Sequence, residues 1–167
     1  LIPADERRFV AFFDASYDNQ GDRNQFGLII GCCTSKLNRG LEDTCSIGFW
    51  KSSRLEQAKQ ATSPNFTETK AAYKATVHLT WYKVITNCLT YSDFDVDTLR
   101  RSGESPPHRI PYVVSSEDPL KDDPACILIG DSKGVYDNLN KEQAGAERFS
   151  ALDAAPMKLR LGEIGGI

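Results

Sequence analysis

Cys126-Ile127-Leu128-Ile129-Gly130 reads as a buried strand that runs straight into Asp131-Ser132, with a helix expected just beyond. A carboxylate at the exit of an apolar strand sits at the edge of a core, where its charge needs a partner. Residues 9–14, Phe9-Val10-Ala11-Phe12-Phe13-Asp14, share that design, and Glu68 stands at the head of the longest helical pattern in the chain. If the two strands lie side by side with the helix packed across them, three carboxylates converge. Such a convergence calls for a divalent cation, which takes oxygen ligands.

The stretches between these acids say how that could come about. In residues 9–14, Val10, Phe12 and Asp14 share one face and Phe9, Ala11 and Phe13 the other. A run apolar on both faces suits the middle of a sheet. Turn-forming residues at 18–22 lead to a second strand over 25–33, and Asn38-Arg39-Gly40 leads to a third over 45–50. Short loops between three consecutive strands imply an antiparallel meander. The period then changes: from 67 to 89, Ala71, Ala75, His78, Tyr82, Ile85 and Leu89 recur at helical spacing, while Ala72, Val77, Leu79, Trp81, Val84 and Cys88 widen the band. So wide a band predicts a helix buried on most sides. Glu68 lies one turn ahead of Ala71 and Ala72, whose small side chains let the helix approach the sheet.

A strand reached through such a helix is expected to run parallel to one of the meander. Residues 134–140 then read as a short helix and 146–161 as another, which Pro156 would make begin near Asp153. Residues 92–124 exceed an ordinary connection and read as a loop insertion, with a short edge strand at 110–114. Its acids, among them Asp93, Asp95 and Asp97, read as solvated loop charges.

A chain of 167 residues makes one domain, here 9–167 behind a charged linker at 1–8. No run approaches a membrane span and no signal peptide opens the sequence, so an intracellular protein without a membrane partner is expected. Cys32, Cys33, Cys45, Cys88 and Cys126 lie in apolar segments without metal-ligand spacing and read as small core residues. Trp50 and Trp81 are likewise expected in the core. His78 and His108 offer little material for histidine chemistry. A net charge of −3 gives no global field favouring nucleic acid, although local patches can dominate binding. No Gly-rich phosphate loop follows any strand, which argues against a dinucleotide-binding domain.

Several motifs, in order, resemble the ribonuclease H domain of the Pol polyprotein of copia-like LTR retrotransposons. They are Phe13-Asp14-Ala15-Ser16, Asn24-Gln25-Phe26-Gly27, Phe49-Trp50-Lys51-Ser52-Ser53, Ser63 with Thr67-Glu68 and Ala71, and Ile129-Gly130-Asp131-Ser132-Lys133 with Tyr136-Asp137. The resemblance implies an α/β, ribonuclease H-like fold: a three-stranded antiparallel meander plus a parallel strand, with a central packed helix. It implies two Mg2+ ions, replaceable by Mn2+, held by Asp14, Glu68 and Asp131. It also implies hydrolysis of the RNA strand of RNA/DNA hybrids, in partnership with the reverse transcriptase domain of the same polyprotein, in the cytoplasm, a retroelement particle or the nucleus. Ser16 and Ser132 would contact RNA 2′ hydroxyls, and Lys51 and Lys133 the phosphates. The family's fourth acid follows a fifth strand, and neither has a match before Ile167; Asp153 matches a structural aspartate instead.

Blander roles remain open for each acid. Asp14 could cap a turn, Glu68 could answer the helix dipole, and Asp131 could cap the next helix. The whole could be a non-catalytic scaffold or polymerase tether. Metal-free carboxylates so placed would repel, and a raised pKa is expected for Asp14 or Asp131.

Overall fold

The computed structural model describes residues 2–3, 6–18, 24–55, 63–90, 126–140 and 155–159. Three strands come first, β1 (Arg8–Ser16), β2 (Gln25–Cys33) and β3 (Ser46–Arg54), and pair as an antiparallel meander. Helix α1 (Pro64–Thr90) follows, then β4 (Cys126–Ile129) and helix α2 (Lys133–Asn140). The sheet order is β3-β2-β1-β4, with β4 parallel to β1. A hairpin cannot join parallel neighbours, so a crossover is needed, and α1 lies within it. The described residues therefore form a mixed α/β fold built on a four-stranded mixed sheet.

Register explains the layering. Phe9, Ala11 and Phe13 of β1 lie opposite Cys32, Ile30 and Leu28 of β2, while Phe9 and Ala11 lie opposite Cys126 and Leu128 of β4. These residues point to one side and form the core with Ala71, Ala72, Ala75 and Leu79 of α1. The three alanines have no exposed surface, so the helix axis sits close to the sheet, as their size predicts. Met157, in the helical stretch 155–159, and Val135 of α2 complete the cluster. Pro156 stands second in that stretch, where a missing N–H costs nothing.

The third strand runs past the expected 45–50 to Arg54 because its pairing with β2 continues through Ser53 opposite Phe26 and Arg54 opposite Gln25. On an edge strand, polar residues do not end a ladder. The helix starts at Pro64, ahead of the expected 67. Ser63 Oγ accepts the Phe66 N–H at 3.1 Å, and proline takes the first helical position.

Three expectations are corrected. Helix α1 is not buried on most sides: Trp81 is 53% exposed, Ile85 54% and Leu89 84%. The buried side of its later turns is instead Leu79, Lys83 and Asn87. Trp50 and Trp81 are not core residues; Trp50, on edge strand β3, is 73% exposed. Of the cysteines, Cys32, Cys33 and Cys126 are buried, but Cys45 is half-buried and Cys88 exposed. Apolarity alone does not fix burial: the sheet covers one side of α1, and Trp50 lies on the edge strand β3. The loop insertion at 92–124 with its edge strand, Asp153, His108 and the linker's outer residues lie outside the described residues. No described helix is long and apolar enough to cross a membrane.

Candidate metal centre

Strand β4 stops at Ile129, opposite Phe12. Beyond that point β1 runs on for four residues with no strand among the described residues on its β4 side, and the three acids meet there. Asp14 comes from β1, Asp131 from just past the end of β4, and Glu68 from the second turn of α1. One carboxylate oxygen from each lies within 4.8 Å of the other two. The two aspartates are exposed and Glu68 is half-buried.

Asp131 is not the cap of α2, because Ser132 Oγ accepts the Val135 N–H at 3.4 Å and the Ser132 carbonyl accepts the Tyr136 N–H at 3.2 Å. Glu68 is not in the first turn of α1, which contains no acid, so the helix dipole has little hold on it. Its carboxylate accepts a hydrogen bond from the backbone N–H of Ala15. One of its oxygens, Oε2, is buried with no hydrogen-bond partner. Leaving a buried carboxylate oxygen unsatisfied costs on the order of 1–3 kcal/mol.

Electrostatics point the same way. Burial, then the charges of Asp131 and Asp14, push the Glu68 carboxyl from an ordinary 4.5 up to about 7, and the Ala15 hydrogen bond only partly opposes them. The rise falls on Glu68, a residue the sequence did not single out for one. Both aspartates face solvent, whereas the glutamate rides on the helix that closes over the sheet. By contrast, Asp43 of the β2–β3 connection has its own partners. Desolvation works against its charge, but the Thr34 N–H at 2.6 Å and hydroxyl at 2.9 Å and the Thr44 N–H at 2.8 Å hold it below the usual carboxylate range.

The donor set fits a hard divalent cation. Oxygens on opposite sides of one Mg2+ stand about 4.2 Å apart, so a spread of up to 4.8 Å needs only a small contraction, or an ion pair with shared ligands. All the donors are oxygen, as Mg2+ or Mn2+ prefers. A cation bound by the three carboxylates would offset their mutual repulsion.

The other site candidates sit at varying distances from this point. Ser16, exposed, is on the same face of β1 as Asp14, two residues on. Ser132 is half-buried and occupied as the cap of α2, and Lys133 is exposed at the first position of that helix. Lys51 lies opposite Leu28, itself opposite Phe13, so it is two strands away, about 10 Å, and on the helix-facing side. Its ammonium stands 6.0 Å from the Phe26 ring centre. Ser52 shares Asp14's row across the sheet, through Gly27. A Cβ at Gly27 would meet nothing within 4 Å, so that row is open beside Asp14. Counting register from Asp14 would have chosen Ser52 over its neighbour. His78 stacks on Phe49 at 5.3 Å over β3, and burial followed by Lys51 and Lys74 lowers its pKa; it is a packing residue.

Fold and site together define an α/β protein with a candidate cation centre where two parallel strands and a helix meet. No family model matches the chain, and no curated protein or solved structure matches it.

Proposed function

We propose that the chain is a ribonuclease H-like nuclease domain of a copia-like retroelement, cutting the RNA strand of RNA/DNA hybrids at two Mg2+ ions. The observation that carries this reading is the meeting of Asp14, Glu68 and Asp131 within 4.8 Å at the ends of parallel strands. The sheet order and the parallel β4 beside β1 agree with the fold that the sequence motifs suggest.

Asp14, Glu68 and Asp131 would hold the metal. Bound there, divalent ions supply an activated water and charge stabilisation of the leaving 3′ oxygen. The chain's own residues do the positioning. The backbone N–H of Ala15 holds the Glu68 carboxylate, whose Oε2 is buried without a hydrogen-bond partner. The two aspartates, exposed, remain accessible to a phosphodiester from solvent. The row from Asp14 over Gly27 to Ser52 is open at Gly27 and would take a strand of nucleic acid, and Ser16, exposed on the same face as Asp14, would meet a 2′ hydroxyl. Recognition of this sort reads backbone and sugar, so little base preference is expected.

The test is cleavage of a hybrid labelled on its RNA strand, with Mg2+ or EDTA, by the 167-residue chain and by the same chain extended in its reading frame beyond Ile167. Mg2+-dependent cleavage by the extended chain, lost in Asp14→Asn and Asp131→Asn, is the expected result. Hybrid binding without cleavage by the extended chain would instead favour a non-catalytic scaffold or a tether for the reverse transcriptase domain.

A further inference from the structure

Two glycines bracket Asp131, and neither is there for its backbone angles. Among the described residues the positive-φ glycine is Gly40, not Gly130 or Gly134. What they share is crowding. A Cβ added at Gly130 would stand 2.6 Å from Cε1 and 2.8 Å from Cε2 of Phe13 and collide with Cζ. One added at Gly134 would collide with Oδ1 of Asn65 and stand 3.1 Å from its Cγ. Gly134 stands at the second position of α2, where the approach of Asn65 leaves no space for a side chain.

The identity of the two intruding side chains matters. Phe13 directly precedes Asp14 on β1, and it is 7% exposed, wedged in the core beside Leu28 of the neighbouring strand. Asn65 lies one turn ahead of Glu68 on α1. Each glycine therefore meets a residue rigidly tied to one of the other two acids. The contacts lie on opposite sides of Asp131 along the chain.

We infer that Gly130 and Gly134 are positioning residues: residues 130–134 dock on Phe13 at one end and on Asn65 at the other, and so set Asp131 against Asp14 and Glu68 at ligand spacing. The inference rests on the metal-binding reading above. A methyl group at 130 pushes β4's exit away from β1, and one at 134 pushes the start of α2 away from α1. Either displacement opens the carboxylate triangle, whose 4.8 Å limit already exceeds the roughly 4.2 Å that one Mg2+ spans.

The test measures Mn2+ binding by calorimetry and metal-free melting for Gly130→Ala, Gly134→Ala, Phe13→Leu, Asn65→Ala and the two matched double variants. If the wild type binds Mn2+, each glycine variant should bind about tenfold more weakly, the usual loss when the support of a ligand is disturbed. Leucine at 13 removes the ring atoms that a methyl at 130 would strike, so Phe13→Leu/Gly130→Ala should return to within about threefold of Phe13→Leu alone. Asn65→Ala should rescue Gly134→Ala in the same way. A merely structural role predicts lower melting temperatures with unchanged affinity in the folded protein. That result, or a loss of affinity that neither partner truncation repairs, overturns the inference. If the folded wild type binds no Mn2+, the metal reading fails and the melting cycle judges the docking alone. Non-additive pairs then uphold the 130–13 and 134–65 contacts, and additive ones overturn them.

Discussion

Replacing Glu68 by glutamine should make the metal-free protein more stable at neutral and alkaline pH, although it alters a half-buried residue. The Glu68 carboxyl is raised from 4.5 to about 7, first by burial, then by Asp131 and Asp14. A raised acid holds its proton more tightly in the folded than in the unfolded chain. Between pH 4.5 and 7 the folded chain thus carries the extra proton, and stability falls as pH rises through that window. Below pH 4.5 both states are protonated and nothing is lost; above pH 7 the full penalty applies. One pKa unit corresponds to ~1.4 kcal/mol, which puts the unscreened penalty near 3 kcal/mol, and solvent screening at a half-buried carboxyl leaves about 1–2 kcal/mol. In a domain of this size each kcal/mol moves the melting temperature by roughly 2–4 °C. Glutamine keeps the shape and can still accept the Ala15 N–H, but it cannot ionise. In calorimetric scans with EDTA, the two proteins should melt alike at pH 4.5, and the variant should melt about 5 °C higher at pH 8. Adding Mg2+ should reverse the ranking, since ligand at a hundred times its dissociation constant stabilises the native state by about 2.7 kcal/mol and the variant lacks one ligand charge. Parallel melting curves across pH in EDTA would falsify the claim that three charges crowd one another at this site.

Two further outcomes follow from the packing that brings Glu68 to the sheet. Ser63→Ala removes the acceptor for the Phe66 N–H and should lower stability by about 1 kcal/mol, with no change in pH dependence when melting is followed by circular dichroism. Ala75→Leu overfills a position with no exposed surface and should cost about 1–3 kcal/mol. Because it lifts α1 from the sheet, it should also weaken the Mg2+-induced rise in melting temperature; a rise as large as in the wild type would separate helix packing from the site.

The acids were more legible in the sequence than the surface around them, for a physical reason. Period-2 patterning in residues 9–14, with both faces apolar, leaves an internal strand as the economical reading, and a strand reached across a helix has one favoured direction. Those two constraints bring Asp14 and Asp131 to the same edge without knowledge of any side-chain contact. The choice of cap was closer: Asp131 and Ser132 are both good capping residues, and a helix starting one position earlier would have consumed the aspartate. That α2 begins at Lys133 leaves Asp131 free, and a one-residue boundary is finer than patterning resolves. Exposure of Trp50, Trp81 and Leu89 was not legible, since apolarity states what a residue prefers and not which layer arrives to cover it. The place of the raised pKa failed to show for a related reason: all three acids are alike in sequence, and only the depth of α1 against the sheet buries the glutamate ahead of the aspartates. The glycines at 130 and 134 are the extreme case. Their role lies in atoms they lack, and it appears only when Phe13 and Asn65, 117 and 69 positions away, are found in the space a methyl group would need.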